Sequence, residues 1–184
     1  MTTSLETARL SLRLVREADR DDLIALERDA EVMRFINGGR STPVEGIDSD
    51  TGFRTPRGRE PDVWAAIERD LGVFAGWFSL RRIGEGAAEL GYRLRRGAWG
   101  RGLASEGALA LVEWGFVESG LDRIMATTMA ANQASRRVLE KVGLVHVRTV
   151  HKDWPDPLPG SEMGDVKYEI AREAWKITQG PHRK

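Results

Sequence analysis

Seven short apolar segments, each bounded by turn residues, predict the strands of one sheet. In the first of them, residues 9–15, apolar and polar positions alternate, and its three leucines share one face. Short turns at residues 70–72 and 84–86 indicate that the second, third and fourth strands form an antiparallel meander. The predicted strands cover residues 9–15, 63–68, 73–80, 88–94, 123–128, 144–151 and 165–170.

Apolar residues that recur at helical spacing predict four helices between these strands. Asp19 is expected to cap the first helix, and Gly120 and Gly143 are expected to end the last two. The helices are expected over residues 19–26, 32–36, 102–118 and 132–142, and the second of these either extends the first or follows it. This order of elements indicates an α/β fold in a single domain, residues 1–184, with a mixed, mostly antiparallel sheet of about seven strands and about four flanking helices.

The composition narrows the classes of protein to which the chain can belong. Hydrophobic residues make up 41% and charged residues 30% of the 184 positions, which is ordinary for a globular protein. The formal net charge is zero, so we expect no nucleic-acid partner. The absence of cysteine excludes disulfides and thiolate nucleophiles. Neither a signal peptide nor an apolar run of about 20 residues is present, so we expect a cytoplasmic protein that does not enter a membrane.

The sharpest local feature is a glycine-rich turn between the fourth predicted strand and the third predicted helix. Gly97, Gly100 and Gly102 permit backbone angles at which successive amides converge, and the helix N-terminus adds unpaired donors. Such a turn suits a phosphate or pyrophosphate, which the three arginines within residues 95–101 would contact as further donors. Ser105 stands where a dinucleotide-binding fingerprint needs its third glycine, and the Gly-Lys-Ser/Thr of a nucleotide triphosphate loop is absent. A turn without any ligand is the alternative.

Three motifs occur in register around this turn: GYRL before it, WGRGLASEG within it, and NQASRRVLEKVGL after the next strand. On these motifs the chain resembles the GNAT acetyltransferases, and more narrowly their Rim-type branch, whose best-known members acetylate the N-termini of ribosomal proteins. The whole chain also follows the family's order of elements, from TARLSLRLV to DVKYEI. The resemblance implies a GNAT-like fold and the transfer of an acetyl group from acetyl-CoA to a primary amine.

The resemblance also implies where acetyl-CoA binds. In this family the strand before the loop splays from its neighbour, and the pantetheine arm lies in the gap, where backbone groups of Tyr92, Arg93 and Leu94 would hold it. Asn132 would bind the pantetheine or the thioester region. Gly97 departs from the family pattern, in which Gln or Arg begins the loop. The residues implied for the pyrophosphate are Trp99, Gly100, Arg101, Gly102, Leu103 and Ala104.

For the chemistry, the Rim-type pattern implies that Ser135, three residues after Asn132, protonates the departing CoA sulfur. Leu139 occupies the place of the tyrosine that many other GNAT enzymes use, which favours Ser135. The base that accepts the amine proton stays open: Glu89 is the first candidate, and Glu68 and a water relay are the alternatives. The three histidines show no metal-ligand spacing, so we expect no catalytic metal.

The acceptor amine follows less directly from the sequence. A peptide or protein N-terminus and a small-molecule amine are both consistent with the resemblance. Acidic residues at positions 153–165 would favour a cationic acceptor, whereas Arg54, Arg57 and Arg59 in the long loop over residues 37–61 would favour an acidic one. Monomer and homodimer both stay open. A non-catalytic acyl-CoA-binding regulatory protein on the same fold is the alternative to an enzyme.

Overall fold

The computed structural model describes residues 4–40, 61–153 and 156–179 of the chain. Within these residues it contains eight β-strands and five α-helices. The strands are β1 Ser4–Glu6, β2 Leu10–Leu14, β3 Val63–Glu68, β4 Val73–Gly84, β5 Ala87–Leu94, β6 Arg123–Met129, β7 Val145–Val150 and β8 Asp165–Ala171. The helices are α1 Arg20–Arg28, α2 Ala30–Asn37, α3 Leu103–Val117, α4 Gln133–Lys141 and α5 Arg172–Gln179. The arginines at 54, 57 and 59 of the predicted long loop lie outside the described residues.

The strands form one sheet in the order β1-β2-β3-β4-β5-β6-β8-β7. Strands β5 and β6 pair in parallel, whereas β1–β2, β2–β3, β3–β4, β6–β8 and β7–β8 are antiparallel. The predicted α/β class with a mixed, mostly antiparallel sheet is therefore confirmed, and all seven predicted strands are present. The sequence pattern does not predict β1, because three residues are too short to show a period. It also misses the C-terminal helix α5.

The described residues fall into two compact units, which divide β4, β5 and α3 between them. The first unit comprises residues 4–40, 61–79 and 92–107. Its core lies where the apolar faces of α1 and α2 meet inward-facing residues of β3 and β4, which removes their apolar surface from water. The core residues are Val15, Leu23, Leu26, Val32, Val63, Ala65, Phe74 and Trp77.

The second unit comprises residues 80–91, 108–153 and 156–179. Alternation with a period of two places Val166, Tyr168 and Ile170 of β8 on its buried side. Leu139 of α4 is also buried in this unit. Gly143 follows α4 with a φ of +94°, a left-handed conformation that suits glycine and ends the helix as predicted.

Asp19 precedes α1 as expected, but the prediction that its side chain caps this helix is wrong. Its carboxylate instead accepts hydrogen bonds from Nη1 and Nη2 of Arg13, at 2.8 and 2.7 Å, and from the N–H of Arg16 at 2.7 Å. Burial acts to raise the pKa of Asp19, but these hydrogen bonds outweigh burial and lower that pKa. An arginine fork is a stronger donor than a helix amide, so the carboxylate turns away from the helix.

Gly76 allows β4 to approach the end of β5 closely within the first unit. It has a φ of +149°, and β3 and β4 change register beside it. A Cβ added at Gly76 would collide with the main chain of Arg93 and Leu94. The N–H of Arg95 donates to the carbonyl of Ala75 at 2.9 Å, so the two segments are also joined by a hydrogen bond here.

We expect Gly76→Ala to lower the free energy of unfolding by about 3 kcal/mol, because the added methyl group meets backbone that cannot move aside cheaply. Urea denaturation measures this change. The matched control is Gly84→Ala, where an added Cβ meets no atom within 4 Å and the loss should stay below about 0.5 kcal/mol. Equal losses in the two variants would show that the close approach at Gly76 is absent.

Candidate active site

The glycine-rich turn begins where β5 ends and finishes where α3 begins. One 3-10 turn, Arg96–Ala98, follows β5, and Gly100 and Gly102 then take φ angles of +70° and +80°. An L side chain rarely adopts these angles, so the two glycines direct the chain into α3. The position of the turn between strand and helix is as predicted.

The last amide groups before α3 are those of Gly100, Arg101 and Gly102. Among the described residues, no main-chain hydrogen bond outside the regular elements is donated by Gly100, Arg101 or Gly102. The first N–H groups of α3, from Leu103 onward, have no partner within their own helix by the geometry of a helix N-terminus. Consecutive unpaired donors and the positive end of a helix dipole suit an anion.

Ion pairs hold the arginines of the turn. Both oxygens of Glu68 accept hydrogen bonds, from Nη2 of Arg95 at 2.8 Å and from Nη2 of Arg101 at 2.6 Å. Arg96 donates to Asp29 at 2.8 Å. The sequence predicts these arginines as donors to a phosphate, and the structure shows that each is already bound to a carboxylate.

Glu68 is an unsuitable general base in this arrangement. The hydrogen bond from Arg101, followed by that from Arg95, lowers the pKa of Glu68 against the opposing effect of burial. A carboxylate with a lowered pKa stays ionised near neutral pH and holds a proton weakly. This geometry disfavours the alternative that Glu68 is the base.

The indole of Trp99 is 44% exposed, and its Nε1–H donates to the carbonyl of Leu94 at 2.8 Å. This bond joins the middle of the turn to the last residue of β5. Trp99 therefore closes the turn on its strand and leaves an aromatic face at the surface.

The end of β5 carries Tyr92, Arg93 and Leu94. The parallel pairing of β5 with β6 covers residues 87–89 and 123–125, while β5 itself continues to Leu94. The ring of Tyr92 lies 6.0 Å from that of Phe78, centroid to centroid.

The guanidinium of Arg93 is buried beneath the strand. It forms an ion pair with the buried Glu27 of α1 and lies 5.2 Å from the ring centre of Trp77. Burial lowers the pKa of Arg93 to about 10, so the guanidinium stays charged at neutral pH. Nothing in the sequence pattern singles out this pair, because its two members lie far apart in the chain.

Asn132 and Ser135 meet at the start of α4 in the second unit. Oδ1 of Asn132 accepts a hydrogen bond from the N–H of Ser135 at 3.1 Å and so caps the helix. Gln133 donates to the carbonyl of Ala130 at 3.1 Å, which fixes the chain just before the cap. Both predicted residues are half-buried.

Residues 9–145 match the family model of the acetyltransferase (GNAT) domain, a range that contains the glycine-rich turn, the end of β5 and the start of α4. The chain belongs to the GNAT family. It is an acetyl-CoA-dependent N-acetyltransferase, and its substrates are amines.

Curated relatives agree with this assignment. A protein of Aspergillus fumigatus, FsC-acetyl coenzyme A-N(2)-transacetylase, is 34% identical over an alignment of 188 positions that covers 97% of this chain and 80% of that protein. The N-acetyltransferase YnaD of Bacillus subtilis is 30% identical over 173 residues, which cover 93% of this chain and 98% of YnaD.

Solved structures show the same GNAT fold. A GNAT-family acetyltransferase from Bacillus anthracis superposes with a TM-score of 0.76 at 25% identity, over 92% of this chain and 99% of that one. The spermidine N-acetyltransferase of Vibrio cholerae, solved with CoA and spermine, has a TM-score of 0.74 at 13% identity, over 92% of this chain and 99% of its own. At that identity the likeness extends to the fold alone.

In this GNAT enzyme Glu89, the first candidate for the general base, also has a charged partner. Glu89 of β5 binds Nη2 of Arg81 through Oε2 at 2.5 Å. His146 lies 3.2 Å from Oγ1 of Thr149 and packs edge-on against Tyr168. Within the part of the chain that the structure describes, no three His, Asp or Glu side chains are grouped as metal ligands. No helix among those residues is long and apolar enough to cross a bilayer.

Sequence reasoning missed Tyr168, a residue that supports α4. Its side chain is almost fully buried, and its hydroxyl accepts from Nε of Arg136 at 3.1 Å and donates to Oε1 of Glu140 at 2.9 Å. Arg136 directly follows Ser135, so this network fixes the helix that carries Ser135. The available signal was a lone tyrosine at a core position of β8, whose hydroxyl needs a partner.

We expect Tyr168→Phe to lower the free energy of unfolding by about 1 kcal/mol, because two hydrogen bonds to a buried hydroxyl are lost. Chemical denaturation measures the change. Tyr92→Phe, which changes the same group on the half-buried tyrosine of β5, is the matched comparison. A stability equal to that of the wild type in Tyr168→Phe would contradict a supporting role for this hydroxyl.

Proposed function

We propose that the chain acetylates an amine at an N2 position, such as the α-amino nitrogen of an amino-acid derivative, by direct attack on acetyl-CoA. The proposed binding of acetyl-CoA rests on the N–H groups of Gly100, Arg101 and Gly102, which have no main-chain acceptor among the described residues. Convergent amides at the N-terminus of a helix suit the pyrophosphate of CoA.

In this proposal the residues of the turn and of β5 bind different parts of the donor. The segment from Trp99 to Ala104 holds the pyrophosphate, and the main chain of Tyr92, Arg93 and Leu94 holds the pantetheine arm. Since Oδ1 of Asn132 already accepts the N–H of Ser135, the side-chain NH₂ of Asn132 is the group that would donate to a pantetheine carbonyl.

The reaction requires one proton to leave the amine and one to reach sulfur. The amine nitrogen attacks the thioester carbon, the C–S bond breaks, and sulfur departs with the bonding electrons. We assign the proton delivered to sulfur to the Ser135 hydroxyl and the base role to Glu89, directly or through water. Because Arg81 binds Oε2 of Glu89, Oε1 is the oxygen that would accept the proton.

The acceptor class is inferred from the Aspergillus fumigatus relative, whose name specifies transfer to an N2 nitrogen. The similarity to that protein extends over 97% of this chain and therefore includes segments outside the donor loop. The Rim-type motifs at residues 91–94, 99–107 and 132–144 concern the donor and the acid. We therefore assign the donor site to the Rim-type branch and the acceptor to a small N2 amine, in preference to the N-terminus of a protein.

The experiment is an assay of thiol release from acetyl-CoA with three acceptors: an amino-acid derivative with a free N2 amine, a polyamine, and a peptide with a free N-terminus. We expect kcat/KM for the N2 amine to exceed the others by about 10²-fold, with the acetyl group located on N2 by mass spectrometry. A preference for the peptide would contradict the N2 assignment and show that the acceptors are the N-termini of peptides or proteins. Tight CoA binding without turnover of any amine would favour a regulatory protein instead.

A further inference from the structure

Glu68, the last residue of β3, presents a buried carboxylate to the glycine-rich turn. Only 4% of its surface is exposed, and both its oxygens are occupied by arginines of that turn. Three of the four residues directly after it, positions 69–72, are charged or glycine, so the carboxylate lies at the end of a strand and not within the apolar core. Burying an ionised carboxylate is costly unless it is paired, and the two guanidinium groups supply that pairing.

The two arginines bound by Glu68 stand at opposite ends of the turn. Arg95 directly follows β5, and Arg101 lies between the two glycines that precede α3. Arg101 also donates through Nη1 to the carbonyl of Gly97 at 3.3 Å. One carboxylate therefore joins the beginning of the turn to its end, and Arg101 joins that end to the middle.

Arg9, which lies outside the turn, also holds it. Arg9 of the segment before β2 donates to the carbonyl of Arg101 at 2.8 Å and pairs with Glu106 of α3 at 2.6 Å. The carbonyl of Arg101 thus points to Arg9. The side chain and the carbonyl of Arg101 are both held, and this sets the orientation of the adjoining peptide groups.

We propose that Glu68 is a positioning residue for the pyrophosphate of acetyl-CoA: by holding Arg95 and Arg101 it fixes the turn, and with it the amides of Gly100, Arg101 and Gly102, in the anion-binding conformation. This role rests on the proposed donor site. By charge alone, a carboxylate close to a bound pyrophosphate opposes binding. The presence of Glu68 is explained if the order that it imposes on the turn raises the affinity for the pyrophosphate more than its negative charge lowers it.

The two effects of Glu68 predict opposite results when its charge is removed. If charge dominates, Glu68→Gln frees two guanidinium groups and tightens CoA binding. If position dominates, the same change loosens the turn and weakens binding. We expect the Kd for CoA to rise about tenfold, with KM for acetyl-CoA rising similarly and kcat at saturation unchanged.

The closing experiment measures CoA affinity by calorimetry and steady-state turnover with two donors, acetyl-CoA and acetyl-pantetheine, which lacks the pyrophosphate. The loss in Glu68→Gln should affect acetyl-CoA and leave kcat/KM for acetyl-pantetheine at the wild-type value. Glu6→Gln is the matched control, since Glu6 is exposed, pairs with Arg69 at 3.5 Å and carries the same charge. Glu6→Gln should leave the turnover kinetics unchanged with both acetyl-CoA and acetyl-pantetheine.

Glu68→Asp keeps the charge but is one methylene shorter, and it serves if Glu68→Gln fails to fold. It should raise the Kd for CoA about threefold, because a shorter carboxylate reaches both arginines less well. Unchanged or tighter CoA binding in folded Glu68 variants, or equal losses with both donors, would overturn the positioning role. Failure of the wild type to bind CoA would instead overturn the donor site itself, and the role of Glu68 with it.

Discussion

Replacing Gly102 with valine is expected to weaken CoA binding by about 10- to 100-fold. In free energy, this loss corresponds to the strain of a β-branched residue in a left-handed conformation. Gly102 has a φ of +80° directly before α3, and a Cβ there would lie 3.5 Å from Nη2 of Arg9. To relieve the strain the peptide groups of the turn must rotate, which moves the proposed pyrophosphate donors away from their common point. Calorimetric titration with CoA measures the effect.

Gly120→Val is the matched control for this prediction. Gly120 has a φ of +69° beyond the other end of α3, and an added Cβ there meets no atom within 4 Å. Both variants should lose stability through the same backbone strain, while only Gly102→Val should lose affinity. Similar CoA affinities in the two variants would show that the turn before α3 does not bind the donor.

Replacing Ser135 with alanine is expected to lower kcat about 10²-fold and to leave the Kd for CoA unchanged. The hydroxyl is the proposed donor of a proton to the departing sulfur, and its removal leaves that proton to come from water. The cap of α4 should survive, because the N–H that Asn132 accepts belongs to the main chain of residue 135 and is kept in the variant. Steady-state kinetics at saturating acceptor give kcat directly.

The control for Ser135→Ala is Ser119→Ala, which removes the same group from a serine in the turn after α3. That serine binds Arg82 through its hydroxyl and its carbonyl. Its loss should leave kcat within about a factor of two of the wild type. A kcat for Ser135→Ala equal to that of Ser119→Ala would show that Ser135 does not donate the proton to sulfur, and water would then be the acid.

The strands could be predicted because they follow from the alternation of apolar and polar residues, which is local in the sequence. In β2 the apolar residues alternate with polar ones, and Leu10 and Leu12 are fully buried as that alternation requires. The turn before α3 could be predicted for the same reason, since Gly100 and Gly102 are needed for backbone angles within the turn itself. Strand β1 could not, because three residues show no period and its pairing with β2 depends on tertiary structure.

The partners of charged side chains could not be predicted, because they are chosen by the fold. Glu68 binds arginines that are 27 and 33 positions away in the sequence. Asp19 stands at a cap position, but a nearby arginine on β2 competes for its carboxylate and prevails. The sequence pattern therefore predicts the main-chain turn of the proposed donor site, and only the structure shows which side chains hold that turn in place.

Acetyl transfer to an amine is tested most directly by one assay with acetyl-CoA labelled with ¹³C in its acetyl group, followed by mass spectrometry of the amine product and quantification of the free thiol. We expect the label on the amine nitrogen, with one acetylated amine formed for each thiol released. Thiol release without a labelled amine, or no release at saturating acetyl-CoA with any amine, would contradict it.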